Sequence, residues 1–240
     1  MASPVRPSAL QNRILAALSG KERQRLAPDL ETVLLKRGEV LCEPGEALRH
    51  AYFPDTVLFS LRSLTERGES VEVGLLGHEG VLGIPIFLGS RTMPFRATVQ
   101  IAGSARRLQA SRLREEFDRC GELHKLLLRS VHLQVVQLSQ TSACSRFHTL
   151  RQRLCRWLLL ADERDREMEG LLFTHELLSE ALGVNRSSLS EAAALLQKEG
   201  LIQYKRGHIT ILARQALLAA ACECYGILTN ESKRVVKNYE

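Results

Sequence analysis

The 240-residue chain contains no long apolar run. No stretch approaches the roughly 18 uninterrupted apolar residues that a membrane-spanning helix requires. The first ten residues, MASPVRPSAL, also lack the apolar core of a signal peptide. We therefore expect a soluble cytoplasmic protein with no membrane partner. Its composition, 45% hydrophobic and 25% charged residues, is ordinary for a globular protein.

The cysteines lack the spacing of a metal site. None forms a Cys-x-x-Cys pair, and none clusters near the N-terminus, so neither a zinc ribbon nor an iron–sulfur site is indicated. In a reducing compartment such cysteines are usually buried as small apolar residues. We therefore predict no metal ligands and no cofactor. The close pair Cys222 and Cys224 is interpreted as helix packing, with a metal or redox role as the less favoured alternative. The six cysteines are Cys42, Cys120, Cys144, Cys155, Cys222 and Cys224.

Catalytic motifs are missing as well. The seven histidines are dispersed, and the chain has no P-loop, no Ser/His/Asp-type motif and no histidines at metal-binding spacing. We therefore predict no catalytic residues and a protein that is not an enzyme.

Glycines are concentrated in one part of the chain. Nine of the sixteen lie between Gly38 and Gly103, where they separate short runs such as Ser70–Leu76 and Arg96–Ile101. Short strands with frequent turn signals are typical of an antiparallel roll or barrel.

The predicted fold class is α+β, with an N-terminal antiparallel β-roll, a long dimerisation helix and a C-terminal winged helix-turn-helix. The predicted segments are 1–24 (arm and short helix), 25–120 (roll), 121–148 (dimerisation helix), 149–226 (winged helix-turn-helix) and 227–240 (polar tail).

The segment Glu122–His148 contains no glycine or proline and has apolar residues on two faces. One face is expected to pack on the roll. The other has the spacing of a coiled-coil seam. A parallel homodimer is the simplest partner arrangement, and burial within one subunit is the alternative. The predicted dimer residues are Leu128, Val131, Val135 and Leu138.

Two helices and a basic hairpin are predicted between Thr174 and Leu212. Thr174 can cap the first helix, Gly183 can end it, and Asn185 can cap the second. Gly200 ends that second helix, and the following residues alternate around Lys205-Arg206-Gly207-His208. This order of elements is typical of a winged helix-turn-helix that binds double-stranded DNA.

The exposed start of the second helix is predicted to meet base edges, and the surrounding residues are predicted to meet phosphates. Arginine suits guanine, serine suits bases or phosphates, and glutamate can accept from cytosine. The predicted base-facing residues are Arg186, Ser187, Ser188, Ser190 and Glu191. The predicted phosphate-facing residues are Thr174, His175, Lys205, Arg206 and His208.

Charge supports this prediction only locally. Residues 185–214 contain five basic and two acidic residues, whereas residues 149–240 contain 13 basic and 12 acidic residues. The alternative is therefore a ligand-binding or protein-interaction module of the same fold that no longer engages DNA. A steep salt dependence of binding to DNA would distinguish the two functions.

This order of parts resembles the Crp/Fnr family of bacterial transcription regulators over roughly residues 25–226. The most specific part is Thr174–Ile211, with Asn185-Arg186-Ser187-Ser188-Leu189 opening the second helix. The resemblance implies a roll similar to cyclic-nucleotide-binding proteins, dimerisation through the long helix and a two-fold symmetric promoter site. It also implies that Arg186 contacts a base and Thr174 a phosphate, with RNA polymerase as a candidate further partner.

The chain departs from the family pattern at two places. Glu191 stands where many members have a second arginine, so a different operator is expected. In the roll, the family pattern Gly-Glu followed by Arg-Ser-Ala is replaced by Gly83-Ile84-Pro85-Ile86 and Phe95-Arg96-Ala97-Thr98. Ile84 and Phe95 replace the ribose-binding and phosphate-binding residues, so we do not expect cyclic AMP to bind. Arg96 and Thr98 are the candidate contacts for an unknown small-molecule effector, and a solvated strand position is the alternative for Arg96.

Overall fold

The structure is a computed structural model that describes residues 11–164, 171–205 and 207–237. The predicted residues 1–10 of the arm therefore lie outside the described residues. Two short helices, α1 (Arg13–Ala16) and α2 (Gly20–Leu26), open the described chain, and a 3-10 turn follows at Ala27–Asp29. Asn12 caps α1 by accepting hydrogen bonds from the N–H groups of Ile14 and Leu15.

Seven strands then form two antiparallel sheets. The strands are β1 (Glu31–Leu35), β2 (Val40–Cys42), β3 (His50–Pro54), β4 (Leu58–Leu64), β5 (Ser70–Leu76), β6 (Arg96–Ile101) and β7 (Gly103–Gln109). One sheet has the order β1-β7-β3 and the other the order β2-β6-β4-β5. Alternate residues such as Phe59, Val99 and Ala105 are buried between the sheets. The predicted roll is therefore confirmed.

Two helices that follow the roll pack on it. Helix α3 (Ala110–Asp118) packs on β3 and β7, and α4 (Glu122–Phe147) follows after a short turn. Leu123, Leu126 and Leu127 at the start of α4 are buried against the roll. His148 is the C-cap of α4.

The C-terminal part begins with α5 (Leu150–Asp162), which Thr149 and Gln152 start with a reciprocal capping box. Strand β8 (Leu171–Leu172), α6 (His175–Leu182), α7 (Arg186–Lys198), β9 (Ile202–Lys205) and β10 (His208–Ile211) follow. The three strands form a sheet of order β8-β10-β9, which adds one strand to the predicted hairpin. The predicted α+β fold class, with its winged helix-turn-helix, is therefore confirmed.

The end of the chain differs from the sequence prediction. A polar tail was predicted over residues 227–240, after the winged helix-turn-helix. Instead α8 (Arg214–Ala220) ends before Cys222, and α9 (Cys224–Lys237) is a separate helix. Helix α9 packs on α4 and α5, and the apolar side chains of Cys224, Leu228 and Val235 are spaced to lie on one face. The sequence analysis missed this helix because its few apolar residues are separated by polar ones.

The roll and the C-terminal part share buried contacts. Leu58 and Leu75 of the roll belong to the same apolar cluster as the core of α5, α6 and α7. The ion pairs Arg164–Glu79 at 2.7 Å and Arg62–Glu180 at 2.7 Å also join the two parts. The roll is therefore docked directly against the helix-turn-helix.

Candidate nucleic-acid interface

Helices α6 and α7 are joined by a tight turn whose ends are capped as predicted. The Thr174 hydroxyl accepts a hydrogen bond from Leu177 N at 3.2 Å. Gly183 takes the left-handed conformation, with φ of 61°, and ends α6. The Asn185 side chain then accepts from Ser188 N at 2.8 Å and starts α7.

A common core fixes the relative position of the two helices. Leu178 and Leu182 of α6 pack with Leu189 and Leu196 of α7, and all four side chains are buried. Trp157 of α5 and Phe173 lie in the same cluster, with ring centroids 4.7 Å apart. Because these contacts hold the apolar face of α7 inward, its polar face is turned outward.

The predicted base-facing residues lie together on that outward face. Arg186, Ser187 and Glu191 are exposed, while Ser188 and Ser190 are half-buried. They occupy the first two turns of α7, the part of a recognition helix that reaches base edges in helix-turn-helix proteins.

His175 is held internally in this structure. Its Nδ1 lies 2.9 Å from Ser190 Oγ, and its ring stacks on Tyr204 at a centroid distance of 4.3 Å. Burial, together with the nearby charge of Arg186, lowers the pKa of His175. The ring thus links the start of α6 to α7 and the wing, and its predicted phosphate contact stays a prediction.

The wing carries the other predicted phosphate-facing residues. Lys205 and His208 are exposed at the hairpin tip, and Gly207 has φ of 84°, which the turn requires. Thr174 is exposed at the start of α6. Arg206 lies outside the described residues. Cations at the tip of a wing are suited to the negative charge of a phosphate backbone.

The charges of this face are available to a ligand. Within residues 11–164, 171–205 and 207–237, neither Arg186 nor Lys205 takes part in a salt bridge. Glu180 of α6 is instead paired with Arg62 of the roll. Glu191 is the acidic member of the predicted base-facing set, and its side chain is exposed on the outward face of α7.

The candidate effector residues of the roll are not assembled into an anion site. Arg96 donates through Nε to the Glu43 carboxylate at 2.8 Å. Thr98 is a half-buried sheet residue that lies opposite Val40 and Ser60 in neighbouring strands. Ile84, after Gly83, begins a 3-10 turn (Ile84–Ile86). Arg96 is thus part of a partly exposed ion pair with Glu43, and its effector role stays a prediction.

The candidate dimer residues are divided between two environments. Leu128 and Val135 are exposed on α4, at 44% and 54% of their surface, and they lie seven residues apart. Val131 instead packs partly against the cluster beneath the roll. Leu138 is half-buried and lines a cavity that Trp157 also lines. The exposed apolar face of α4 is therefore narrower than the predicted four-residue seam.

Sequence reasoning missed a buried carboxyl group where the roll meets α5. Ser60 and the Trp157 indole N–H each donate to Glu72 at 2.7 Å. Burial raises the pKa of Glu72 to about 7, although these hydrogen bonds and the charges of Arg62 and Arg156 act in the opposite direction. No local signal marks this residue, because Glu72 stands in an ordinary alternating strand.

Sequence reasoning also missed a cluster of possible metal ligands. The structure brings Cys144 and His148 at the end of α4 next to Cys222 and Cys224 at the start of α9. The spacings i, i+4 and i, i+2 were visible in the sequence. Their meeting was not, because it depends on where the last helix packs.

Comparisons with known proteins agree with this geometry. Residues 152–220 match the Crp-like helix-turn-helix domain family. A transcriptional regulator assigned to the Crp/Fnr family from Eubacterium rectale superposes with a TM-score of 0.69 and 15% identity, covering 86% of this chain and 96% of that one.

Two further solved structures share the fold. FixK2 from Bradyrhizobium japonicum gives a TM-score of 0.68 at 16% identity, covering 80% of this chain and 98% of its own. TTHB099, a CRP-family transcriptional regulator from Thermus thermophilus, gives 0.65 at 22% identity, covering 79% and 96%. No curated protein sequence matches the chain significantly.

Residues 152–220 thus match a Crp-like helix-turn-helix domain, and the chain shares its fold with solved structures of Crp/Fnr-family proteins. Over the described residues, none of the helices combines the length and the apolar character needed to cross a membrane.

Proposed function

We propose that the protein is a homodimeric, sequence-specific DNA-binding regulator of transcription rather than an enzyme. The observation that carries this proposal is the exposed N-terminal face of α7, with Arg186 free of salt bridges within the described residues, beside the basic wing tip. A chromosomal target implies a cytoplasmic location. Bound at a promoter, the protein would act on RNA polymerase.

A two-fold symmetric DNA site follows from a parallel pairing of α4. Leu128 and Val135 give this helix an apolar stripe with the seven-residue spacing of a coiled coil. Two recognition helices related by such an axis would read half-sites about 34–36 Å apart, one helical turn of DNA. The predicted operator therefore has two inverted half-sites centred about 10 base pairs apart.

Sedimentation of the full chain tests the dimer. We expect a dimer for the unmodified protein and a shift towards monomer for Val135→Glu, because the substitution buries an unpaired charge in the seam. Leu34→Glu is the matched control, since Leu34 is an apolar residue of comparable exposure on β1. A monomeric unmodified protein, or equal behaviour of both variants, would exclude pairing through this stripe.

Selection of bound sequences from a random DNA library tests recognition. The proposal expects a symmetric motif and a steep fall of affinity with salt, because each neutralised phosphate releases counterions. Failure to enrich any motif, with affinity that hardly depends on salt, would favour the interaction module that no longer engages DNA.

We also propose that the roll does not bind cyclic AMP. Ile84 stands where an acidic residue would hold the ribose. Arg96, the remaining candidate for a phosphate contact, forms an ion pair with Glu43. Micromolar cyclic AMP should therefore leave the melting temperature nearly unchanged. A clear rise in melting temperature would contradict the proposal and would return Arg96 and Thr98 to the list of effector contacts.

A further inference from the structure

Four side chains with metal-binding atoms converge where α4 ends and α9 begins. One ligand atom from each of Cys144, His148, Cys222 and Cys224 lies within 4.8 Å of all the others. The Cys144 and Cys222 sulfurs are 3.5 Å apart, and His148 Nδ1 is 3.5 Å from the Cys224 sulfur. The three cysteines are free thiols and at most 4% exposed.

The local structure aims these atoms at one point. Cys144 and His148 are four residues apart, which puts them on the same face of the last turn of α4. His148 is the C-cap, and its N–H donates to the Cys144 carbonyl at 3.2 Å. Cys222 and Cys224 flank the junction between α8 and α9, where an extended residue, Ala221 (ψ of 162°), ends the preceding helix.

We propose that these four residues form a structural site for one zinc ion with a Cys3His ligand set. Zn²⁺ binds thiolate at about 2.3 Å and imidazole nitrogen at about 2.0–2.1 Å with tetrahedral geometry, which places ligand atoms about 3.5–3.8 Å from each other. The two measured separations of 3.5 Å are close to that spacing. A set of four protein ligands leaves no open position, as in closed structural sites.

The surrounding contacts are those that accompany a zinc-bound histidine. The His148 nitrogen on the far side, Nε2, lies 3.1 Å from the Glu223 carboxylate. A carboxylate on the second ring nitrogen fixes the tautomer that leaves Nδ1 for the metal. Gln140 Nε2 donates to the Cys224 sulfur at 3.0 Å, which would stabilise a thiolate.

The charge of the site is balanced by its neighbours. Zinc with three thiolates and a neutral imidazole has a net charge of about −1, and metal binding releases the thiol protons to solvent. The guanidinium groups of Arg153 and Arg156 interact electrostatically with Cys144. Such cations offset the cost of burying the charged complex.

Two other cysteine chemistries fit the geometry less well. A Cys144–Cys222 disulfide would leave Cys224, His148 and the Glu223 contact without a role. A polynuclear iron–sulfur cluster needs room for several metal and sulfide atoms among its ligands. The four ligand atoms here all lie within 4.8 Å of one another, a spacing that suits a single metal ion rather than a cluster.

A zinc ion here would tie two parts of the molecule together. His148 immediately precedes Thr149, the N-cap of α5, so the site stands at the hinge between the long helix and the DNA-binding part. The other two ligands hold the start of α9. The site is independent of the proposed function, because its ligands lie apart from the exposed face of α7.

Metal content of the full chain tests the proposal. Reduced protein supplied with Zn²⁺ and then desalted should retain one zinc per chain. Cys222→Ser and His148→Ala should lose it, whereas Cys155→Ser should retain it, since Cys155 is also fully buried but lies outside the cluster. Unmodified protein without bound zinc, or equal zinc retention in all variants, would overturn the proposal.

Cobalt substitution gives a second readout that needs no variant to fold. Co²⁺ added to the metal-free, reduced protein should give intense tetrahedral d–d bands and a thiolate charge-transfer band, both removed by one equivalent of Zn²⁺. Weak octahedral bands would exclude the Cys3His site. The site would also be excluded if Cys144 and Cys222 formed a disulfide and the reduced protein still failed to bind Co²⁺.

Discussion

Replacement of Glu72 by glutamine tests whether the roll and α5 share a buried, proton-sensitive contact. Glutamine keeps the shape of the side chain. Its carbonyl oxygen can accept from the Trp157 indole, and its amide can donate to the Ser60 hydroxyl. The substitution therefore removes the ionisable group while the hydrogen bonds at 2.7 Å can be retained.

The magnitude follows from the two pKa values of Glu72. Burial raises the pKa from 4.5 to about 7 in the folded state. At about 1.4 kcal/mol per pKa unit, this corresponds to about 3 kcal/mol. The folded state holds the proton more tightly, so the full stability is present below pH 4.5 and is lost as the pH rises through about 7. Glu72→Gln has no ionisable group at this position, so its free energy of unfolding should not fall in this way as the pH rises.

Urea unfolding between pH 5 and pH 8 measures the effect, with Trp157 fluorescence as the signal and the protein concentration fixed. The variant should gain about 2–3 kcal/mol relative to the unmodified protein over this range. Glu66→Gln, on the exposed turn between β4 and β5, is the control and should show no such trend. Parallel stability profiles for Glu72→Gln and the unmodified protein would refute the buried, protonated carboxyl.

Three further substitutions test the turn and the domain contact. Asn185→Ala should cost about 1 kcal/mol in denaturant unfolding, because the cap of α7 is lost. Gly183→Ala should cost about 1–2 kcal/mol in the same assay, because residue 183 has a φ of 61° and an added Cβ would lie 3.1 Å from Val71. An unchanged unfolding midpoint would contradict this left-handed conformation. Arg164→Ala should cost about 1–3 kcal/mol, because the half-buried Glu79 carboxylate loses its guanidinium partner while it keeps the Gly77 N–H at 3.3 Å and His78 at 4.0 Å; a loss below about 0.5 kcal/mol would contradict a stabilising pair.

The helix-turn-helix could be predicted from the sequence because its determinants are local. Thr174 and Asn185 act on N–H groups within three residues, and Gly183 needs only its own backbone conformation. The glycine-rich roll was predictable for the same reason, since turns punctuate strands at short intervals. Caps and turns are decided by the residues next to them.

Features that join distant segments could not be predicted in this way. Cys144 and Cys222 meet across 78 positions because α9 folds back on α4. Glu72 meets Trp157 across 85 positions, and nothing in its strand distinguishes it from a solvated residue. The width of the α4 seam likewise depends on which side chains the roll covers.

Binding of Arg186→Ala to DNA tests the central claim most directly. The site selected from the random library and a scrambled duplex are titrated at the same salt concentrations, with Arg91→Ala, an exposed arginine of the roll, as the control. We predict that Arg186→Ala weakens binding to the selected site by about 1–3 kcal/mol, relaxes one base position and leaves scrambled DNA nearly unaffected. Equal losses on both duplexes, or no loss on the selected site, would contradict base recognition by α7.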